Sequence, residues 1–390
     1  MYNPKGGGPF MIGDFEVDPG AFLDILVVKF SSEAHPLWEK HITGPDYHYL
    51  KALRACGDGV VLAGSAPPLS LDLGGGLLSD EDFIVRFDSD GSHIWSRSIP
   101  VSANDGELTV TEMACNSCGS LALTGYYRAG VDFGGGMMAP AMTNDGFIAS
   151  YDAIGQLKWA RGFGSVDGYP VSGYALAVTP DEDIVMAGTF AGSIDLGEVF
   201  ASPGKRDAIV SLFGEGGLPI WSRQIGGAGD KYGTAVAVRS DGAVSVGGIF
   251  SDEILLGEEH YYNVFPDAPL DQYGFLHDGF IATFSPEGVL ASSVHVASLL
   301  DDQMHRLAYD SKDVLVMAGR ESENYVLRTY PQGMPGWTWS SDQLGGGQIH
   351  MALADNAFIV GASVEGPVDL GGGPIDSFGN GDFLIARVPR

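Results

Sequence analysis

Six aspartates, Asp46, Asp105, Asp167, Asp230, Asp302 and Asp342, each stand a few residues ahead of a short run of small or apolar residues. If those runs line a common axis, the carboxylates gather at one mouth of it. A ring of oxygen ligands there suits Ca2+, a hard cation that takes about six to eight oxygens. The competing reading is local: an Asp at the head of a turn accepts backbone N–H bonds from that turn. A second chemical candidate is the segment 258–277, Glu-Glu-His-Tyr-Tyr-Asn-Val-Phe-Pro-Asp-Ala-Pro-Leu-Asp-Gln-Tyr-Gly-Phe-Leu-His. Its Tyr261, Tyr262, Phe265, Tyr273, Phe275 and His277 suit a sugar or peptide surface. Equally, the segment can act as a cover over a rim.

Catalytic patterns are thin. Of nine histidines, His305 and His350 fall on runs expected near the axis, and neither is spaced to pair with a nucleophile or a second ligand. No GxSxG, HExxH or P-loop pattern occurs. The Gly-Gly-Gly stretches at 74–76, 134–136 and 371–373 precede no helix, so they are not read as phosphate cradles. Cys115-Asn116-Ser117-Cys118 has CxxC spacing on an expected β-turn, away from any βαβ pattern. A local disulfide or unreactive thiols are expected there. A structural zinc site needs four ligands, and a second CxxC or CxxH is missing.

The elements that must position these residues repeat. Gly91 precedes Trp95 by four residues, as Gly155 precedes Trp159 and Gly217 precedes Trp221. Self-similarity at a period near 60 residues implies stacked supersecondary units, none able to bury its apolar face alone. Each unit holds four β-like runs. The first is small and apolar, as in Tyr174 to Val178. The second ends in Gly, as in Val60 to Gly64 and Leu121 to Gly125. The third opens with an acid, as in Asp145 to Tyr151, and the fourth carries the Trp. Four antiparallel strands with small residues innermost and Trp outermost meet the demands of a β-propeller blade, whose strands crowd together toward the axis.

The expected fold is therefore all-β: a single β-propeller over residues 1–390 with four-stranded antiparallel blades, six by the count of inner strand pairs and seven as the alternative. The third run occurs seven times, because Asp24 to Phe30 and Asp382 to Val388 are both copies. Closure is expected from pairing of the N- and C-terminal strands, with residues 1–44 completing the last blade at 348–390 and leaving no exposed edge. Trp38, Trp95, Trp159, Trp221 and Trp337 read as inter-blade packing, with Ser292 in the fourth unit's place. The basic residues two places on, Lys40, Arg97, Arg161 and Arg223, are expected to meet the acids opening the third runs, taken as Asp24, Glu81, Asp145, Asp207, Asp278 and Asp382, or to bond the backbone.

The series Asp-Leu-Gly-Gly-Gly, Asp-x-Phe-Ile-Ala/Val, Asp-x-x-Gly-x-x-x-Trp, Ala-x-Ala-Val and a Gly-ended strand resembles the SBBP repeats of bacterial surface and secreted β-propellers, over essentially all of the chain. The Gly-x-x-x-Trp hairpin is also similar to the repeat of pyrroloquinoline-quinone propellers, without that repeat's Thr-Gly turn or an identifiable quinone site. The resemblance implies scaffolding and binding more often than catalysis, and an extracellular or cell-surface setting.

Composition narrows the partners. With 50 acidic and 21 basic residues the formal net charge is −29, which disfavours a phosphate backbone or an anionic membrane and favours cations and basic partners. No apolar run approaches the roughly 20 residues of a spanning helix. The start, Met1-Tyr2-Asn3-Pro4-Lys5-Gly6, lacks a signal peptide's charged and apolar regions, so a cytoplasmic setting is the alternative. The expected function is a non-enzymatic scaffold for a protein or carbohydrate partner, with no cofactor, or Ca2+ if the acidic ring is real. The alternatives are a polysaccharide lyase or hydrolase using acids at the channel mouth, and a piece of a larger repeat or sensor protein.

Overall fold

A computed structural model describes residues 10–12, 14–18, 24–31, 33, 35–44, 46–102, 107–263, 277–298, 301–322, 324–342, 344, 350–354, 357–364 and 382–389. The fold is all-β, with the four-stranded antiparallel blades of a six-bladed β-propeller. The chain divides into two compact units, Met1–Gly164 with Pro170–Gly173, and Ser165–Tyr169 with Tyr174–Arg390.

The first unit holds two blades. Tyr49–Cys56, Gly59–Ser65, Asp82–Phe87 and His93–Ile99 pair in chain order, and so do Leu108–Cys115, Leu121–Tyr127, Asp145–Tyr151 and Leu157–Phe163. Ahead of them Ile25–Phe30 pairs with Pro36–Ile42, a third-plus-fourth strand hairpin whose Ile25, Val27 and Ile42 pack with Leu62, Phe83 and Phe87 of the first blade.

In the second unit, Ile184–Asp195, Val199–Phe213 and Pro219–Ile225 follow Val171–Val178, the strand in which the division falls. The next blade is Lys231–Val238, Val244–Phe250, Asp278–Phe284 and Leu290–Val296. Gln303–Tyr309, Leu315–Glu321, Asn324–Tyr330 and Thr338–Ser341 make the fifth, in which Glu321 pairs with Asn324. His350–Ala354, Ala357–Val364 and Asp382–Pro389 make three described strands of the sixth. Both copies of the redundant third run are thus strands, each paired to its own neighbour. The closure anticipated between the chain's ends is not among the pairings of the described residues.

The glycines expected to end the second strands lie one or two residues short of their ends at Gly64, Gly125, Gly248 and Gly319, and there they have a steric origin. The first strands carry β-bulges, between Leu50 and Ala52, between Gly233 and Ala235, and between Met304 and Arg306. A bulge turns a first-strand carbonyl onto the facing Cα. A Cβ at Gly64 would lie 2.7 Å from the Tyr49 carbonyl oxygen, and one at Gly125, Gly248 or Gly319 would overlap the carbonyl of Thr109, Tyr232 or Gln303.

The Gly-x-x-x-Trp signature is a lock between neighbouring blades. Gly91, Gly155 and Gly288 sit in hairpin turns at φ of 79°, 77° and 77°, where a side chain is strained. Each also receives a Trp from the preceding hairpin or blade. A Cβ would stand 3.1 Å from the Trp38 ring at Gly91, 2.6 Å from Trp95 at Gly155 and 2.7 Å from Trp221 at Gly288. The indole N–H groups of Trp38, Trp95 and Trp221 donate to the carbonyls of Ser89, Ala153 and Pro286 at 2.8, 3.1 and 2.8 Å. Where Ser292 replaces Trp, the following Gly333 has only that hydroxyl near, at 4.0 Å.

Asp-Leu-Gly-Gly-Gly is likewise a turn device. Asp72 Oδ1 accepts the N–H of Gly74 and Gly76, and Asp132 Oδ1 those of Gly134 and Gly136. The apolar neighbours Leu71, Leu73, Val131 and Phe133 are buried.

Candidate functional site

Of the basic residues beside the Trp series, Arg97 and Arg223 take the backbone alternative and Lys40 an aromatic face. Arg97 Nε donates to the Gly155 carbonyl and Arg223 Nε to that of Gly288, at 2.7 Å for the latter, while Lys40 lies 4.5 Å over the Phe87 ring. Two places along a strand is the same face, so these cations follow their Trp toward the next turn. The third-strand acids face the other side. Asp24 meets His41 at 3.3 Å and Asp278 meets His295 at 2.8 Å, each partner being three places beyond the Trp position. Asp207 accepts from Gln224 in the same register. In the first blade the acid at this position is Asp82, not Glu81, and it pairs with Lys51. Trp159 and Arg161 are half-buried on Leu157–Phe163, and the Trp337 ring stacks 5.3 Å from Phe358.

The six aspartates do not share one environment. Asp46 and Asp167 are exposed, with Asp46 Oδ1 accepting the Tyr47 N–H. Asp230 Oδ1 accepts the Arg206 N–H at 2.9 Å. Asp302, 1% exposed, accepts the N–H of Ser298 and of Ser322 at 2.9 and 3.2 Å, together with the Ser298 hydroxyl. Burial pushes its carboxyl up to about 6, with those hydrogen bonds opposing. Asp342 is exposed and Asp105 lies outside the described residues. Among the described residues, no three His, Cys, Asp or Glu side chains converge as a metal site.

The expanded segment begins as structure. Glu259–Tyr262 pairs with Glu253–Leu256, so its first residues form a hairpin and not a loop. Strand alternation then divides the two tyrosines. Tyr261 packs inward, its ring 5.3 Å from His295 and its hydroxyl 3.0 Å from Ser293 Oγ, whereas Tyr262 is 62% exposed. Phe265, Tyr273 and Phe275 lie outside the described residues.

His277 belongs to a half-exposed polar strip on the second unit. Its Nδ1 lies 3.1 Å from Asp301 Oδ1, which also accepts the His277 N–H at 3.2 Å. Asp301 Oδ2 takes a hydrogen bond from Gln303 Nε2 at 3.1 Å and faces Arg320 Nη2 at 3.6 Å. On its other side the His277 ring meets Tyr232 edge-on at 6.4 Å, and Arg206 Nη1 donates to the Tyr232 hydroxyl at 3.4 Å. The strip thus runs from Arg206 through Tyr232, His277 and Asp301 to Gln303 and Arg320.

Two positions of the repeat build this strip. Arg206, within Val199–Phe213, stands directly before Asp207 as His277 stands directly before Asp278, and Asp230 and Asp301 each stand ahead of the next first strand. Burial tends to raise the Asp301 carboxyl, but hydrogen bonds from His277 and Gln303 outweigh it and leave it below the ordinary value, so it is a carboxylate at neutral pH. His305, buried and 3.0 Å from Gln303 Oε1, is pushed down to about 4 by burial and by nearby Arg306 and Arg320, so it is neutral there. The strip presents fixed donors, fixed acceptors and one aromatic edge, a set suited to hydrogen-bonded recognition. Of the strip from Arg206 to Arg320 the sequence had pointed to His277, and beside it to Asp230 and His305. The doubled Asp301-Asp302, and Arg206 at the position matching His277, were the available signals.

No family model matches the chain, and no curated protein matches it. The resemblance to SBBP repeats therefore stands on the repeated residues. Among solved structures the chain is similar to a Dos1 propeller, at 8% identity and TM-score 0.45, covering 86% of this chain and 68% of that one. It is also similar to a protein of unknown function from Bacteroides caccae, at 10% identity and TM-score 0.39, covering 71% and 78%. A third is virginiamycin B lyase from Staphylococcus aureus, at 9% identity and TM-score 0.35, covering 80% and 91%. Likeness at this level says nothing about chemistry.

Proposed function

We propose that this chain is a non-enzymatic recognition scaffold that binds a protein or carbohydrate partner through the strip from Arg206 to Arg320, at an extracellular or cell-surface location. One observation carries the reading: the buried acid Asp302, and Asp230 beside the strip, accept backbone N–H groups of their surroundings, while the half-exposed groups between them are arranged as donors and acceptors. Rigid strands hold those groups, so a partner that matches them costs little ordering entropy on binding. The disulfide described below supports an oxidising compartment. Tyr262 on the neighbouring hairpin would extend the contact surface.

The test uses Arg206→Ala, Arg320→Ala and Tyr232→Ala in the whole chain, screened on a glycan array and by co-purification from the native source. The expected result is one partner retained by the parent and lost by at least two of the variants, with unchanged melting temperature. Binding indifferent to all three substitutions overturns the assignment of the surface. Depolymerisation of a polysaccharide, abolished by Asp301→Asn, overturns the non-enzymatic reading.

A further inference from the structure

Cys115 is bonded to Cys56 and not to Cys118, with a Cα separation of 5.2 Å and a sequence separation of 59. The two occupy the same place at the ends of consecutive first strands, Tyr49–Cys56 and Leu108–Cys115. Cys118 is exposed and free. It sits on a turn in which the Gly119 N–H donates to the Asn116 carbonyl at 3.1 Å and the Ser120 N–H to Asn116 Oδ1 at 2.8 Å.

That turn presses against the bridge. Cys56 Sγ lies 3.6 Å from the carbonyl oxygen of Gly119, the residue after Cys118, and Cys115 is three residues before Cys118. Over the same turn lies Arg86, only 8% exposed. Its Nη1 donates to the carbonyls of Gly119 and Ala153 at 3.0 and 2.9 Å, and its Nη2 to that of Cys56 at 3.4 Å. Its Nε is buried without a partner among the described residues. These bonds end on carbonyls, so they leave the charge unneutralised. A Cβ at Gly119 would stand 2.6 Å from the guanidinium nitrogens, so glycine is what admits the cation to the turn. Arg86 and Cys56 Sγ thus share the Gly119 carbonyl as a neighbour, and a nearby cation helps a departing thiolate.

We propose that Cys118, Cys115 and Cys56 form a thiol–disulfide exchange site. The Cys118 thiol gives its proton to solvent and the thiolate attacks Cys115 Sγ. A Cys115–Cys118 bond forms as the Cys56–Cys115 bond breaks, and the electron pair leaves on Cys56 Sγ, which faces the same Gly119 carbonyl that Arg86 bonds. One disulfide and one thiol stand on each side, so no oxidant or reductant is consumed. The exchange trades a bridge between two blades for one closed within a single turn, releasing the inner strands from their covalent tie. Arg86 is a positioning residue that eases departure of Cys56.

The test holds the whole purified chain at about pH 6 and about pH 9.5, either side of a thiol's ordinary pKa of about 8.5. Acid then quenches exchange, N-ethylmaleimide labels free thiols, and non-reducing peptide mapping by mass spectrometry locates the bonds. At the higher pH the label is expected on Cys56, together with a Cys115–Cys118 linked peptide. Cys118→Ser, an exposed change, abolishes Cys56 labelling. Arg86→Met slows its appearance roughly threefold to tenfold, and Arg86→Lys restores it. Label on Cys118 alone at both pH values overturns the proposal, and so do three free thiols or Cys56 labelling that persists in Cys118→Ser.

Discussion

The contact between Trp95 and Gly155 can be weighed by a double-mutant cycle. Trp95 is 9% exposed and its indole bonds to Ala153 in the turn that Gly155 completes. Replacing it with Ala should cost about 3–5 kcal/mol, the range for removing a buried Trp. Gly155→Ala meets two penalties. Holding Ala at φ of 77° costs about 1–2 kcal/mol. Forcing a methyl to within 2.6 Å of the Trp95 ring adds about 1–3 kcal/mol of overpacking. The single change should therefore cost about 2–5 kcal/mol. In the Trp95→Ala background only the backbone penalty survives, so the double variant should be about 1–3 kcal/mol more stable than the sum of the singles. The assay is equilibrium denaturation in urea, followed by tryptophan fluorescence and circular dichroism. Gly333→Ala is the internal control: its φ is also 77°, but its neighbour is Ser292 at 4.0 Å, so it should cost the backbone penalty alone. Additivity at Trp95 and Gly155, or equal costs at Gly155 and Gly333, would refute the view that the glycine is kept to receive the Trp.

Two further outcomes concern the acids. The Asp302 carboxyl sits at about 6 in the folded chain against 3.8 as the ordinary value, so the folded state holds its proton more tightly. The associated stability is fully present below about pH 4 and lost as the pH rises through about 6. Stability of the parent relative to Asp302→Asn should therefore rise as the pH falls across that window, measured by denaturation at fixed ionic strength; a flat or opposite difference contradicts the burial argument. Exhaustive removal of calcium should leave the melting temperature within about 1 °C, well below the shift that loss of a tight ligand produces. A drop of several degrees, restored by Ca2+ and absent in Asp230→Asn, would return those carboxylates to the role of ligands.

Much of the blade was legible in the sequence because its causes are local. Alternation, small first strands, acid-headed third strands and Gly-bearing turns follow from period-2 burial and from turns that need positive φ, and these act within a dozen residues. The neighbours across blades were not legible. The sequence left Cys115 either a local bridge to Cys118 or an unreactive thiol; the fold placed it with Cys56, because one repeat period brings the same strand position of adjacent blades side by side. It left Arg97 and Arg223 a choice between acids and the backbone, and strand-face direction decides for turn carbonyls. Tyr261 and Tyr262 read as one surface until a hairpin put them on opposite faces. His277 was visible as a residue but not as a site, since Asp301, Arg320 and Tyr232 come from strands up to dozens of residues away. The sequence by itself determined the repeating unit, which hydrogen-bond and burial periodicity specify locally. Tertiary structure alone decided which side chains meet, because that depends on blade-to-blade register and on the direction each side chain leaves its strand.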